Sequence, residues 1–530
     1  MKVTILDGYI DEPSRLGVPP FISPYARYLF GAVKSAGHEP EYLTIDHYRR
    51  GRRPSGGVLF IVSGVLVPGK YLRTMPMSGR EMEHIIKESR ADVFTWHSSK
   101  PNSTPSMGDH VWGCDPDAYL FDLLTSGRGK RRRTQDEWAE WAVLGAEMVK
   151  QHHDYPAPII AEIDLSYGCP HYLTGGCSFC TEPLYGEPVF RGQDSIISEI
   201  KALLNQGCVN FRLGGASCTF SYKAEGIIDN NPRPNVGALG TLFKGLSKLK
   251  GIEVLHTDNA DSSVIASYPE ESGDILKMIT GTCSSGNLLS LGIEAADPEV
   301  AEANNLNSTP EQVMAAIRMI NKVGRERGPT GLPRLLPGLN FLAGLEGETK
   351  QTFELNRQFL KQVVSQELLL RRINIRQVNP TRRDFAKTRL KKEFISFKEF
   401  VREEIDTQML EKVIPKCTVM TSVYTEVKIG NVMFGRQIGT YPILVGLPGI
   451  EETGKFMDVK ITGHGSRSLT ALEYPLNINK CSLSALETLP GVGRKRAARI
   501  FRARPINDIH DLKKALDDEK LAQGIIPFLE

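Results

Sequence analysis

Between residues 159 and 377 six short apolar runs recur, each separated from the next by enough chain for one helix. They are Ile159-Ile160-Ala161-Glu162-Ile163, Val209-Asn210-Phe211-Arg212-Leu213, Ile252-Glu253-Val254-Leu255-His256, Leu289-Ser290-Leu291-Gly292-Ile293, Leu339-Asn340-Phe341-Leu342-Ala343 and Ile373-Asn374-Ile375-Arg376-Gln377. Helical windows such as 195–206 and 310–323 fall between them. Strands joined through helices return in parallel by right-handed crossovers, so the series predicts a parallel sheet, open or closed into a barrel. We place this α/β core at 157–390.

At 530 residues the chain exceeds one ordinary core, and its flanks differ in character. Strand-like runs at 3–6, 58–64 and 91–96, with a helical candidate over 23–36, predict a small doubly wound α/β domain over 1–125. The polar stretch 125–134, with Arg128, Lys130, Arg131, Arg132 and Arg133, reads as an exposed connection, and 126–156 as a linker. A helical connector over 391–417 leads to short strand-like runs separated by glycines, which predict a small β-barrel over 418–476. Residues 477–530 return to helix. With 41% hydrophobic residues and no internal repeat, disorder and collagen-like architecture are excluded. The longest apolar stretch, 56–68, is shorter than the ~20 residues of a membrane span, and the first residues do not resemble a secretory signal. Both point to a cytoplasmic protein with no membrane partner.

The chain has nine cysteines. Three stand close together in Ser166-Tyr167-Gly168-Cys169-Pro170-His171-Tyr172-Leu173-Thr174-Gly175-Gly176-Cys177-Ser178-Phe179-Cys180. This loop follows the first strand of the series, so Cys169, Cys177 and Cys180 lie at a strand's carboxyl end, where sites form in such folds. Three thiolates can hold three irons of a [4Fe–4S] cluster and leave the fourth open; alternatively, His171 completes a Cys3His zinc site. Cys114, Cys208, Cys218, Cys283, Cys417 and Cys481 are scattered and read mostly as small buried hydrophobes.

A strand, a three-cysteine loop with Phe179 before the last cysteine, and a following α/β series resemble the radical S-adenosylmethionine (SAM) superfamily. The usual loop has three residues between its first two cysteines, where this one has seven. Further landmarks follow in order: Leu213-Gly214-Gly215-Ala216-Ser217, Leu291-Gly292-Ile293-Glu294-Ala295-Ala296, Asn340-Phe341-Leu342-Ala343-Gly344-Leu345-Glu346-Gly347-Glu348-Thr349 and Val378-Asn379-Pro380. The resemblance implies a partial TIM-type barrel and a [4Fe–4S] cluster held by Cys169, Cys177 and Cys180. It also implies SAM on the open iron, cleaved by one electron to a 5′-deoxyadenosyl radical. Phe179, Gly214, Gly215, Asn259 and Glu294 are then the expected cofactor-binding residues, with the other polar residues of His256-Thr257-Asp258-Asn259 as further candidates. An electron donor such as ferredoxin or flavodoxin is implied as partner.

The flanks carry resemblances of their own. Residues 418–474, through Asn431-Val432-Met433-Phe434-Gly435-Arg436 and Thr462-Gly463-His464-Gly465-Ser466-Arg467-Ser468-Leu469-Thr470, resemble a TRAM domain. Leu489-Pro490-Gly491-Val492-Gly493-Arg494-Lys495-Arg496 resembles a helix-hairpin-helix turn. Its second helix would offer N–H groups and a positive dipole end to phosphate. Residues 371–392 hold Arg371, Arg372, Arg376, Arg382, Arg383, Lys387, Arg389, Lys391 and Lys392 against the single acid Asp384. The near-neutral total, 65 Lys+Arg against 62 Asp+Glu, thus averages over unlike parts. Arg376, Arg382, Arg383, Arg436, Gly491, Gly493, Arg494, Lys495 and Arg496 are the expected nucleic-acid contacts, to RNA (tRNA foremost) or to DNA.

The N-terminal domain resembles cobalamin-binding domains. In Asp46-His47-Tyr48-Arg49-Arg50-Gly51 the histidine stands one place before the position that ligates cobalt. That leaves cobalamin without a histidine ligand, another ligand, or none. The loop 7–15 is a candidate contributor to such a site. The expected activity is methyl or methylthio transfer to carbon of a nucleic acid, with DNA modification or repair, and a binding protein with a structural cluster or zinc, as alternatives.

Overall fold

The computed structural model describes every residue except 13–14, 65–70, 98–108, 112, 128, 380–381, 383–384, 386–389 and 530. Arg128, Pro380, Arg383, Asp384, Lys387 and Arg389 therefore lie outside the described residues.

The N-terminal part contributes β1 (Lys2–Asp7), β2 (Phe21–Ile22), β3 (Glu39–Thr44), β4 (Val58–Ser63), β5 (Asp92–His97) and β6 (Asp109–Val111). All but β2 form a parallel five-stranded sheet in the order β3-β1-β4-β5-β6. β1 and β4 are almost wholly buried, as expected of strands covered on both faces. Helix α1 (Pro24–Ser35), with Pro24 at its first turn and Ser23 capping Tyr25 N–H, packs on this sheet.

The stretch read as a linker is structured. It holds α2 (Gln135–Leu144), whose Trp138 and Trp141 are buried against Tyr28 and Ala32 of α1. The expected exposed connection before it is corrected too. Arg133 is buried between the rings of Tyr28 and Trp138 and pairs with Asp115 at 3.2 Å and Asp117 at 2.8 Å. Arg131 pairs with Asp122 and Glu137. A run of basic residues reads as solvated only while its acidic partners, six to eighteen residues away, are unknown.

The core follows as β7 (Ile160–Asp164), β8 (Asn210–Gly214), β9 (Val254–Thr257), β10 (Asn259–Ala260), β11 (Asn287–Glu294), β12 (Leu335–Ala343) and β13 (Ile373–Gln377). Two parallel four-stranded sheets, β9-β8-β7-β2 and β10-β11-β12-β13, meet where Asp258 separates β9 from β10. The result is a partial barrel with β2 and β13 as its outer strands. β2 is a graft from the N-terminal part. A single hydrophobic core runs from Val3 and Leu29 through Ile163, Leu213 and Phe341 to Met409. Buried charges also join the two parts: Arg27 of α1 pairs with Glu199 and donates to the Glu162 carbonyl.

β14 (Val419–Ile429), β15 (Val432–Gln437), β16 (Leu444–Pro448), β17 (Phe456–His464) and β18 (Ser468–Glu473) form the expected closed barrel, in the order β14-β15-β16-β18-β17. The C-terminal helices α3 (Leu483–Thr488), α4 (Gly493–Arg502), α5 (Ile509–Leu516) and α6 (Glu519–Ile525) enclose a separate small core around Leu486, Ile500, Leu512 and Ile525. Among the described residues no helix is long and apolar enough to cross a membrane.

Candidate active site

The three cysteines project from a loop closed at its base by Ser166–Tyr167 pairing antiparallel with Val189–Phe190. Local bonds shape the loop: Tyr172 N–H donates to Cys169 O at 3.1 Å and Cys180 N–H to Cys177 O at 3.0 Å. Distant residues hold it from outside. Asn305 donates to the carbonyls of Thr174 and Gly176 at 3.0 and 2.9 Å, and Gly168 N–H donates to Glu182 at 2.9 Å. Arg382 Nη1 donates to the carbonyls of Gly175 at 2.6 Å and Cys177 at 2.9 Å. Arg382, read from the sequence as a nucleic-acid contact, is thus placed on the cysteine loop. Its five-donor fork suits a turn that leaves several carbonyls facing one way.

Arg15 does the same from the N-terminal part. It is buried and pairs with Asp164 at 3.2 Å and Glu182 at 3.0 Å, and it donates to Ser166 O and Gly215 O. The loop 7–15, read as part of an N-terminal ligand site, therefore sends its arginine to the barrel instead. Glu182, two residues past the last cysteine, was the local signal that such a cation was needed.

Burial, then the neighbouring Cys180, pushes the Cys169 thiol up to about 12; burial, then Glu182, does the same to Cys180, and Cys177 moves in the same direction. Thiolates here need a metal's positive charge to exist. His171 does not complete a zinc set. Its Nε2 lies 2.8 Å from Asp261; burial lowers the imidazole, but the hydrogen bond and charge of Asp261 together raise it above its ordinary value. Among the described residues, no three His, Cys, Asp or Glu side chains converge closely enough for a single metal ion.

The adjoining strand ends complete the site. An added Cβ at Gly214 would fall 1.8 Å from Glu162 Oε1. At Gly215, where φ is +68°, it would fall 2.2 Å from Asp164 Oδ1. Only glycine fits either position. Beneath them the buried Arg212 pairs with Glu162 and Asp258. Asn259 donates to Ala216 O at 3.3 Å, so it sits against the glycine turn. Glu294 ends β11 at φ +55°, a conformation unusual for a side chain of its size. Burial pushes its carboxyl up to about 8 against the pull of Arg376, and its field reaches Cys177 and Cys180. Phe179 packs with Ala295, Val300, Leu342 and Leu345, tying the cysteine loop to the ends of β11 and β12. His256, a further candidate, lies elsewhere: its buried Nδ1 accepts from Thr440 N–H at 2.9 Å, a contact to the small barrel.

Residues 163–360 match the sequence signature of the radical SAM superfamily. An uncharacterised protein of Methanocaldococcus jannaschii is 42% identical over 506 residues, 88% of this chain and 92% of that one. The chain belongs to the radical SAM superfamily. Over about 38% of its length it is also similar to a ribosomal protein uS12 methylthiotransferase of Elusimicrobium minutum (28% identical, 42% of that protein). A tRNA-2-methylthio-N(6)-dimethylallyladenosine synthase of Haemophilus ducreyi matches a similar share (26% identical, 38% of that protein). The structure of the radical SAM methyltransferase TsrM from Kitasatospora setae aligns with 70% of this chain and 72% of its own at 16% identity, TM-score 0.45. Residues 474–523 match a helix-hairpin-helix motif.

This radical SAM enzyme thus requires a [4Fe–4S] cluster and SAM, and its residues fit both. Three thiols without a fourth protein ligand leave one iron free, and the Gly214–Gly215 turn lets backbone approach the ligand on that iron. A histidine-ligated corrinoid does not fit the N-terminal sheet. His47 Nδ1 accepts from Thr44 N–H at 3.2 Å within a helix-capping box, and burial, then the neighbouring His153, holds its imidazole down at about 4.

The remaining nucleic-acid candidates are scattered. Arg376 points into a cavity beside the barrel, and Arg436 lines the same cavity but is bound by Glu426 through two 2.7 Å bonds. Gly491 and Gly493 have φ of +76° and +54° at the hairpin turn, and Arg494 and Lys495 are exposed beside it. Arg496 folds back to Gly491 O at 2.8 Å and Asp518 at 3.2 Å.

Proposed function

We propose that this radical SAM enzyme modifies a nucleic acid, RNA and specifically tRNA in the first instance, by methyl or methylthio transfer to an unactivated carbon. The observation that carries the reading is the exposed start of α4. No side chain caps that helix, and Arg494 and Lys495 flank its open N–H groups. Such an end holds phosphate without reading sequence, so it positions a polynucleotide. The closed barrel, read as a TRAM-type module, adds a second surface. The catalytic stretch shared with the two methylthiotransferases supports the reaction class.

When bound, the cluster and SAM supply a 5′-deoxyadenosyl radical. The protein's residues do the rest: Cys169, Cys177 and Cys180 hold the cluster, Arg15 and Arg382 fix their loop, and Gly214, Gly215 and Asn259 seat SAM. Glu294, whose carboxyl burial pushes up to about 8, stands at the end of β11 where its charge state acts on Cys177 and Cys180. A ferredoxin or flavodoxin supplies the electron. The N-terminal sheet is read as a corrinoid-type domain without a histidine ligand; an unchanged corrinoid spectrum after removal of free cobalamin would discard that role.

Two measurements test the proposal. Anaerobic reconstitution with iron and sulfide should yield 5′-deoxyadenosine from SAM. Mass spectrometry of tRNA nucleosides from a deletion strain should lack one modified nucleoside; an unchanged profile removes the RNA reading.

A further inference from the structure

The partial barrel is open between its outer strands, β2 and β13, and a cavity of about 380 Å³ occupies that seam. Four parts of the chain line it: residues 11, 16, 18–21 and 71–74, the start of β13, the connector residues Asp406 to Val413, and the small barrel. Arg73, Arg371, Arg372, Arg376, Arg436 and Arg467 all face it, and its acids are Asp11 and Asp406.

These arginines are not equally neutralised. Arg73 and Arg436 share Glu426, and Arg73 also pairs with Asp154 at 3.0 Å. Arg371 donates to the Tyr441 carbonyl. Among the described residues no carboxylate lies within ion-pair distance of Arg372, Arg376 or Arg467. Arg372 lies over the Tyr441 ring, 3.4 Å from its centre, and Arg376 is depressed by burial and then by the charge of Arg372. Asp11 is engaged by the Tyr71 hydroxyl at 2.6 Å. Burial pushes Asp406 up to about 6 in spite of Arg467. Neighbouring guanidiniums, partly desolvated and reached by the charges of Asp11 and Asp406 without an ion pair to either, form an arrangement that an entering anion would complete.

We propose that this seam cavity is a phosphate-ester site, in which Arg372, Arg376 and Arg467 clamp a phosphate of the substrate and set the target carbon at the barrel mouth. The guanidinium fork matches phosphate oxygens two at a time. Arg376 sits on β13 and acts on Glu294, so a phosphate held here is tethered beside the reaction centre. The identification of that phosphate as part of a polynucleotide rests on the function proposed above; the site itself takes equally the phosphate of a small phosphorylated molecule.

The full-length protein distinguishes these sources. A fluorescent tRNA transcript is titrated over a range of salt concentrations against wild type and the double variant Arg376→Gln/Arg467→Ala. In parallel, phenylglyoxal labelling of wild type, mapped by mass spectrometry, is run with the transcript or with inorganic pyrophosphate. The site predicts about tenfold weaker RNA binding by the variant, a salt dependence shallower by about two phosphate contacts, and shielding of Arg372 and Arg376 by the transcript. Equal binding by both proteins, without shielding, overturns the cavity site and leaves the nucleic-acid reading standing. Shielding by pyrophosphate in a protein that binds no RNA upholds the phosphate site and overturns the nucleic-acid reading. Shielding by neither in a protein that binds no RNA overturns both. The labelling needs no mutation, so a variant that fails to fold does not block the decision.

Discussion

Gly215 has a positive φ and its Cβ position is already taken by Asp164, so Gly215→Ala should cost about 1–3 kcal/mol of stability. The same change should weaken SAM binding at least about tenfold, read by equilibrium dialysis. Asp7 carries a different prediction. Burial, only partly offset by hydrogen bonds from Tyr9 N–H and Tyr42 OH, pushes it up to about 6 from 3.8. The folded chain then keeps a proton that the unfolded chain releases, so stability falls as pH rises from about 4 to about 6 and is flat above. Asp7→Asn should remove roughly 2–3 kcal/mol of that fall, measured by denaturant melts across the window. At this scale the sequence speaks clearly where chemistry is local. Cys169, Cys177, Cys180 and the Gly214–Gly215 pair could be read because each acts with near neighbours. Arg15, Arg382 and Tyr441 could not, because partners such as Asp164, Gly175 and Asp258 lie more than a hundred residues away from them.

The cysteine loop as an element depends on guanidiniums from both sides of it. Removing Arg382 would orphan the Gly175 carbonyl, worth about 1–3 kcal/mol when left unsatisfied, and leave the Cys177 carbonyl with the Cys180 N–H alone. Arg382→Ala should therefore retain less iron after reconstitution and gel filtration than wild type, with Arg382→Lys between them. The basic run 371–392 was legible as a charged stretch, but a charge count does not say which way a side chain turns. Its members divide between the cluster loop (Arg382) and the seam (Arg371, Arg372 and Arg376), where Arg371 and Arg372 also hold Tyr441. Most strands of the core were legible from their apolar runs to within a residue or two, β9 beginning at Val254 rather than Ile252, but β12 begins at Leu335, four residues before Leu339. Helix α2 was missed because the basic run before it was read as the start of an exposed linker.

Over the whole molecule, positive charge concentrates at the barrel seam and at the hairpin of α3 and α4. Arg494→Glu/Lys495→Glu changes two exposed residues, so stability should move by no more than about 0.5 kcal/mol. RNA affinity should fall and its salt dependence flatten by about two contacts, measured by anisotropy at several ionic strengths. The order of parts along the chain was legible; how they lock together was not. Tyr441, at φ +54° in the turn between β15 and β16, inserts its hydroxyl beside Arg212 and Asp258 in the catalytic barrel. The turn is thus a stopper cut to fit one vessel. Any exchange of the small barrel between related proteins would have to carry Arg371, Arg372 and Tyr441 as one inherited block, since a foreign stopper would leave Asp258 facing water.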